Sequence, residues 1–357
     1  MKTVLFFFLF GLSSSLLAAE CDLKHPVKTF QPRFAKHYAI NYFKNFKTVR
    51  VGSSQYLLSS NSSIGCETSM NKIIIPAKRV VMMSTTYLPT LELIQREDTL
   101  IGFQGKQYIV SSSFNHDKIR DVSFKFNPED LLNLKADLIM GYDSNLSNPA
   151  QVHIFKSLNL PVVMNKDFEE TSPLGRAEWI IFIASFYDLE DKAQKIFNMI
   201  SDKYAFIKNE NSKLPKRPKV LVGEIQNGYW VTSGGKSDLG QMIADAGGEM
   251  LFWKPSMQTQ KISLEELSLL KIPVDVWLTH NTWTSRKQLE EARRKDSRYS
   301  LITIKNIFNN NSIINKHNSN DYWETGMQRP DLLLQDLSAL FHPDKYVSHK
   351  LHWYHKL

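Results

Sequence analysis

Cysteine is scarce in this chain: two residues, Cys21 and Cys66, in 357. They do not form a CxxC pair, so a cysteine zinc site is excluded. A GxSxG nucleophile elbow, a P-loop and a GxGxxG fingerprint after a strand are all missing, which removes the commonest signatures of hydrolases, nucleotidases and dinucleotide enzymes. Gly234-Gly235-Lys236-Ser237 copies the end of a phosphate loop without its upstream glycine and reads as a turn and helix cap. After the first 19 residues no apolar run is long enough to span a bilayer. Dense basic runs are also lacking, although net charge is +8 and the pI about 9.2. The 44 Lys and Arg are scattered among 36 Asp and Glu, which excludes a nucleic-acid stripe and fits a surface or cleft that attracts an anionic ligand.

What is present is ordinary globular composition, 42% hydrophobic and 22% charged, in a chain long enough for two cores. The start, MKTVLFFFLFGLSSSLLAAEC, has one lysine, an apolar run and small residues at its end: a secretory signal peptide over residues 1–19, so the protein is expected to be exported. Glu20 stands before Cys21 where a lipobox needs a small residue, which argues against a lipid anchor. Export to an oxidising compartment permits a Cys21–Cys66 bridge, worth roughly 4 kcal/mol on the loop-entropy model. Two unpaired thiols are the alternative.

Residues 20–77 carry short β-rich runs, Tyr38–Tyr42, Lys47–Val51 and Gln55–Leu58, punctuated by Asn45 and Gly52, and predict a β-hairpin extension. From Lys78 strands alternate with short helices, which predicts a mostly parallel sheet in a lobe over 78–188. Glu169–Asn209 follows: Ser172-Pro173 starts a helix, the acidic stretch Asp188–Asp191 breaks it, and a second helical run carries Ala193, Ile196, Phe197, Ile200, Tyr204 and Ile207 on one face. This second run, assigned to 189–213, is expected to bridge to another α/β lobe over 214–357. Pro128–Ile139 and Leu264–Trp277 share one pattern: an acid-capped helix, a lysine, then a buried strand that starts at Asp137 or Asp275. That likeness predicts an internal duplication.

These features together resemble the periplasmic substrate-binding proteins of ABC importers for ferric siderophores, haem and cobalamin. The resemblance spans roughly Lys78 to Leu357. Its parts are Arg79–Thr86, Leu100–Phe103, Ala136–Ile139, Pro173–Trp179, Ser233–Gly235, Asp245–Gly248, Asp321–Glu324 and Arg329 to Pro343. It implies two Rossmann-like lobes joined by a long backbone helix, and a monomer that captures a ferric siderophore or related metal complex between the lobes and delivers it to an inner-membrane ABC permease. Haem or cobalamin is the alternative cargo, and a secreted α/β enzyme the alternative of another class. No resident cofactor and no zinc or manganese ion held by protein ligands are expected, since His116, His153 and His280 are dispersed and the tail histidines follow composition; haem would need an axial His or Tyr, for which Tyr87 and His280 are the candidates. A helical spine is expected to limit lobe motion to roughly a few degrees.

A cleft for a bulky iron chelate needs flat side chains and cations just after the carboxyl ends of parallel strands. The candidates there are Tyr87, Gln104, Tyr108, Tyr142, Trp230, Ser233, Asn281, Trp283 and Trp323, with Arg176 and Glu178 at the head of the central helix. Each aromatic has a competing role in the core, and Arg176 and Glu178 have one as a surface ion pair.

Overall fold

The computed structural model describes residues 22–61, 66, 68, 70–122, 128–142, 154, 155, 157–269, 273–301 and 304–357. The signal peptide expected over 1–19, Cys21 and His153 lie outside the described residues. Cys66 is buried and disulfide-bonded.

The expected hairpin is the middle of a larger sheet. Strands β1 (Lys28–Phe30), β2 (Tyr38–Tyr42), β3 (Lys47–Val51), β4 (Ser54–Ser59) and β5 (Asn71–Ile74) pair in that order, antiparallel up to β4 and parallel at β4–β5. Alternation along β2 and β3 reported the hairpin, whereas the parallel partner returns only after a long loop. The sheet shares one core with the first lobe: Tyr38, Ile40, Val49 and Tyr56 pack with Val80, Met82, Trp179 and Phe182.

The first lobe is a five-stranded parallel sheet built from β6 (Val80–Met82), β7 (Leu100–Gln104), β8 (Arg120–Val122), β9 (Leu138–Gly141) and β10 (Val162–Met164), in the order β10-β9-β6-β7-β8. The second lobe contains β11 (Lys219–Val222), β12 (Glu224–Gln226), β13 (Tyr229–Thr232), β14 (Glu249–Met250), β15 (Gln260–Ser263), β16 (Val276–Thr279), β17 (Ile307–Asn309) and β18 (His355–Lys356). Its main sheet runs β14-β11-β16-β17-β18, and β12-β13-β15 form a small antiparallel sheet beside it.

The duplication read from sequence reappears in this topology. The parallel run β10-β9-β6-β7 of one lobe corresponds strand for strand to β17-β16-β11-β14 of the other. The two aspartates of the repeated pattern also do the same work. Asp137 accepts the N–H groups of Lys78 and Arg79, each at 2.9 Å, and Asp275 accepts that of Lys219 at 2.8 Å. In each case a carboxylate satisfies backbone donors where the lobe's first strand begins.

A 23-residue helix, Glu190–Ser212, joins the lobes and spans about 35 Å at 1.5 Å per residue. Its first half buries Ala193 and Phe197 in the first lobe's core, and its second half buries Ile200, Tyr204 and Ile207 in the second's. The acidic break comes where expected: Asp188 takes a left-handed conformation at φ +55° and the helix starts at Glu190. Buried Lys47 fixes that start through ion pairs with Asp188, at 2.7 Å, and Glu190. Among the described residues no helix is long and apolar enough to cross a membrane.

Candidate functional site

β11 ends at Val222 and is followed by Gly223, whose φ of +112° is left-handed backbone. A Cβ at Gly223 would lie 1.9 Å from the Val231 carbonyl oxygen, so only glycine fits. Two core tryptophans hold this strand end. Trp230 Nε1 donates to Val222 O and Trp277 Nε1 donates to Gly223 O, both at 2.8 Å. The neighbouring strand β16 ends at Thr279, which delivers His280 to the same edge. Opposite, Ser237 caps the helix Asp238–Asp245 by accepting the Gly240 N–H, which places Asp238 in its first turn. Ser172 caps Pro173–Ala177 through Gly175 N–H and so presents Arg176.

These elements enclose a cavity of about 420 Å³, within the ordinary range of ligand sites. Its walls include Arg176, Ser233, Asp238, His280, Tyr322 and Trp323. It sits at the carboxyl ends of β11 and β16, where ligands of open α/β sheets bind. Arg176 reaches it from the segment before the bridging helix. The guanidinium lies 3.6 Å from Asp167, next to the first lobe's β10, and 3.5 Å from Asp238 of the second lobe. One cation therefore ties both lobes at the floor of the site.

The lining is mixed, and its polar groups are incompletely bonded. Among the described residues Arg176 Nε, Glu224 Oε2, Thr232 Oγ1, Asp238 Oδ1 and His280 Nε2 are buried without a hydrogen-bond partner, an expensive state for a side chain that serves packing alone. Burial pushes the carboxyls of Asp167 and Asp238 up, and the Arg176 charge pulls both part of the way back. Burial pushes the His280 imidazole down to about 4, so the ring is neutral at pH 7. Around His280 stand Tyr322, at 5.9 Å between ring centroids, and Trp323, at 5.6 Å and perpendicular to it.

The late segment closes the far side. Glu324 accepts the N–H groups of Val110 and Ser111 in the first lobe, and Asn315 Nδ2 donates to Gln107 O and Ile109 O. Burial, with the charges of Asp321 and Glu92 adding to it, raises the Glu324 carboxyl to about 7 against the hydrogen bonds of those two amides.

Of the residues expected from sequence, the structure brings Arg176, Ser233 and Trp323 to this cavity. Trp230 and Trp283 lie in the core: both are buried, and each packs against Trp277. Trp230 shapes the site from behind, through the hydrogen bond to Val222. Glu178 does not line the cavity. It is buried, and its carboxylate accepts the consecutive N–H groups of Arg33, Phe34 and Ala35 at 2.7–2.9 Å. Glu170 continues the series with Lys36 and His37. Tyr87 is buried in the first lobe's core, and Gln104 is buried at the end of β7. Asn281 forms a turn, its oxygen taking the Thr282 N–H. Tyr142 packs edge-on against Phe168, and Tyr108 is exposed on a first-lobe loop. None of these three lines the cavity. Sequence reasoning missed Asp238, Glu224, Thr232 and Tyr322 as lining. Tyr322 stood in the Asp321–Glu324 segment of the resemblance, whereas Asp238, Glu224 and Thr232 had only a position near strand ends or caps, which many surface residues share.

The family model for periplasmic binding proteins matches residues 80–303, more than half of the chain. The chain belongs to the periplasmic binding protein family. An uncharacterized lipoprotein of Methanocaldococcus jannaschii is 25% identical to this family member over 300 residues, covering 80% of the chain and 70% of that protein. Among solved structures, a periplasmic solute binding protein of Veillonella parvula matches with a TM-score of 0.60 at 20% identity, covering 78% of the chain and 85% of that one. A periplasmic heme binding protein of Pseudomonas aeruginosa matches with a TM-score of 0.56 at 14% identity, covering 77% and 94%. At these identities the structural likeness concerns the fold. The five-stranded sheet β1–β5 precedes the region matched to the family.

Proposed function

We propose that this periplasmic binding protein is the exported, monomeric capture component of an ABC importer and carries a metal complex in the cavity beside Arg176 and His280. Binding is reversible and involves no covalent step. The observation that carries the reading is His280 Nε2: a neutral, buried imidazole nitrogen without a partner, in a wall with Tyr322 and Trp323. A neutral imidazole is a good donor to iron or cobalt. It is useful only to a complex whose metal keeps a free position. The ferric siderophore or related complex expected from sequence thus narrows to haem, cobalamin, or an iron chelate with fewer than six donor atoms of its own.

Charge narrows it further. Arg176 is already shared between Asp167 and Asp238, and Glu224 adds another carboxylate to the lining. A chelate with several negative charges would face these groups uncompensated, so a neutral or weakly charged centre fits better. Haem is the second reading favoured by a specific observation, since its planar ring suits Trp323 and its axial position suits His280; the Pseudomonas protein of the same fold is named for heme. Lipidation of Cys21 and a Cys21–Cys66 bridge exclude one another, because both use the same thiol.

Tryptophan fluorescence of the exported chain, titrated with haem, cobalamin and tetradentate and hexadentate ferric siderophores, tests the reading. Saturable quenching by a complex with a free metal position supports it. No response to any of them, or a preference for hexadentate, highly anionic chelates, contradicts it.

A further inference from the structure

Asp336 lies within the helix Pro330–Phe341 and is fully buried. A carboxylate there needs partners, and the C-terminal tail supplies all of them. The His352 N–H reaches both oxygens, at 3.1 and 3.0 Å, and the Trp353 N–H reaches Oδ2 at 3.0 Å. Two ring nitrogens meet the other oxygen: His349 Nε2 stands 2.7 Å and His352 Nδ1 3.2 Å from Oδ1. The three ligand atoms lie within 4.8 Å of one another. In sequence only the two tail histidines are close; the fold adds the carboxylate from the helix.

We propose that Asp336, His349 and His352 form a site for one divalent first-row metal ion, with Zn²⁺ as the reference ion. Two imidazoles and one carboxylate are a donor set that such ions accept, with a fourth position left for water. A tetrahedral ion with bonds of 2.0–2.1 Å sets neighbouring ligand atoms about 3.3 Å apart. The two nitrogens start 2.7 and 3.2 Å from Oδ1, so both rings already face the carboxylate that would share the ion. The carboxylate is already oriented by the two backbone amides, the kind of outer support that metal sites use. Access exists on one side: the His352 side chain is 41% exposed while that of His349 is 8% exposed. On binding, each ring coordinates through the nitrogen that now faces Asp336 and keeps its proton on the other nitrogen. A ring that starts protonated releases one proton to solvent.

The site lies outside the ligand cavity but is joined to it. The tail it would fix continues into β18, the edge strand of the second lobe's sheet. Trp353 Nε1 donates to Asp321 Oδ2 at 2.8 Å, and Tyr354 packs edge-on against Tyr322. The ion therefore fastens the segment that backs the Tyr322–Trp323 wall. The proposal does not depend on what the cavity carries.

The test uses the untagged full chain, stripped with a chelator and titrated calorimetrically with Zn²⁺, with thermal unfolding followed in parallel. The expected result is one ion per chain at micromolar affinity or tighter and a rise in Tm of several degrees. His349→Ala and His352→Ala each weaken binding at least tenfold and abolish the rise; both leave the backbone donors to Asp336 in place. Bound Co²⁺ shows the visible absorption of a four- or five-coordinate site. Failure of the wild-type chain to bind, or one-to-one binding that survives in both histidine variants, overturns the proposal.

Discussion

Trp323 meets His280 edge-on, with ring centroids 5.6 Å apart and ring planes at 89°. The indole is 47% exposed, whereas the imidazole Nε2 is buried. Both rings line the cavity, the indole at its surface and the imidazole beneath. Trp323→Ala is expected to weaken binding of the cargo about tenfold, or ~1.4 kcal/mol, through loss of a stacking surface. It should also remove the part of the quenching that Trp323 reports, while Trp230 and Trp277, which back the cavity through Val222 and Gly223, still respond to the cargo. Fluorescence titration of the variant checks both effects.

His280 gives the site a defined acid limit. Its imidazolium pKa is depressed to about 4 from the usual 6.5 by burial. As pH falls through this window the unfolded chain takes the proton first, so the stability tied to neutral His280 is present above 6.5 and lost progressively down to about 4. Cargo affinity is expected to be flat from neutral pH to about 5 and to fall near pH 4. His280→Gln should lack that fall. Binding measured across the pH range in the two proteins decides it.

Glu324 runs in the opposite direction. Its folded pKa is raised to about 7 from the usual 4.5, chiefly by burial. The stabilisation from its protonated form is complete below pH 4.5 and is lost as pH rises through about 7. The swing is bounded at roughly 3 kcal/mol. Denaturant unfolding of the wild type at pH 5 and pH 8, compared with Glu324→Gln, should show a pH-dependent difference in the wild type that is much smaller in the variant.

Glu178 is held by backbone amides outside the cavity lining. With three backbone N–H groups on its carboxylate, Glu178→Ala should cost about 3 kcal/mol or more by leaving buried donors unpaired. Cargo affinity of the folded variant should stay within about twofold of wild type, about 0.4 kcal/mol. Chemical denaturation and ligand titration on the same preparation separate the two outcomes.

The parts of the fold legible in sequence were those with local signals. Ser172-Pro173 caps a helix, Asp188 ends one, and the spacing from Ala193 to Ile207 marks the buried stripe of the bridging helix. The Asp137 and Asp275 pattern even revealed the duplicated unit, because each aspartate is read out by backbone donors next to its own strand. The site was less legible because tryptophans near strand ends have two fates. Trp230 and Trp323 both follow or precede polar loops, yet one donates inward to Val222 and the other stays at the surface of the cavity. Glu178 looked like a cleft residue because its partners, Arg33 to Ala35, are more than 140 positions away in the chain. Contacts of that separation leave no periodic trace.

Visible absorbance of haem, titrated into wild type and His280→Ala at pH 7, addresses the central assignment most directly. Wild type is expected to form a one-to-one complex whose Soret band shifts to that of histidine-ligated iron. In His280→Ala the shift is lost and affinity falls at least tenfold, ~1.4 kcal/mol. An identical spectrum and affinity in the two proteins, or no binding of haem, cobalamin or any open-position chelate to wild type, would contradict a cavity built around the His280 nitrogen.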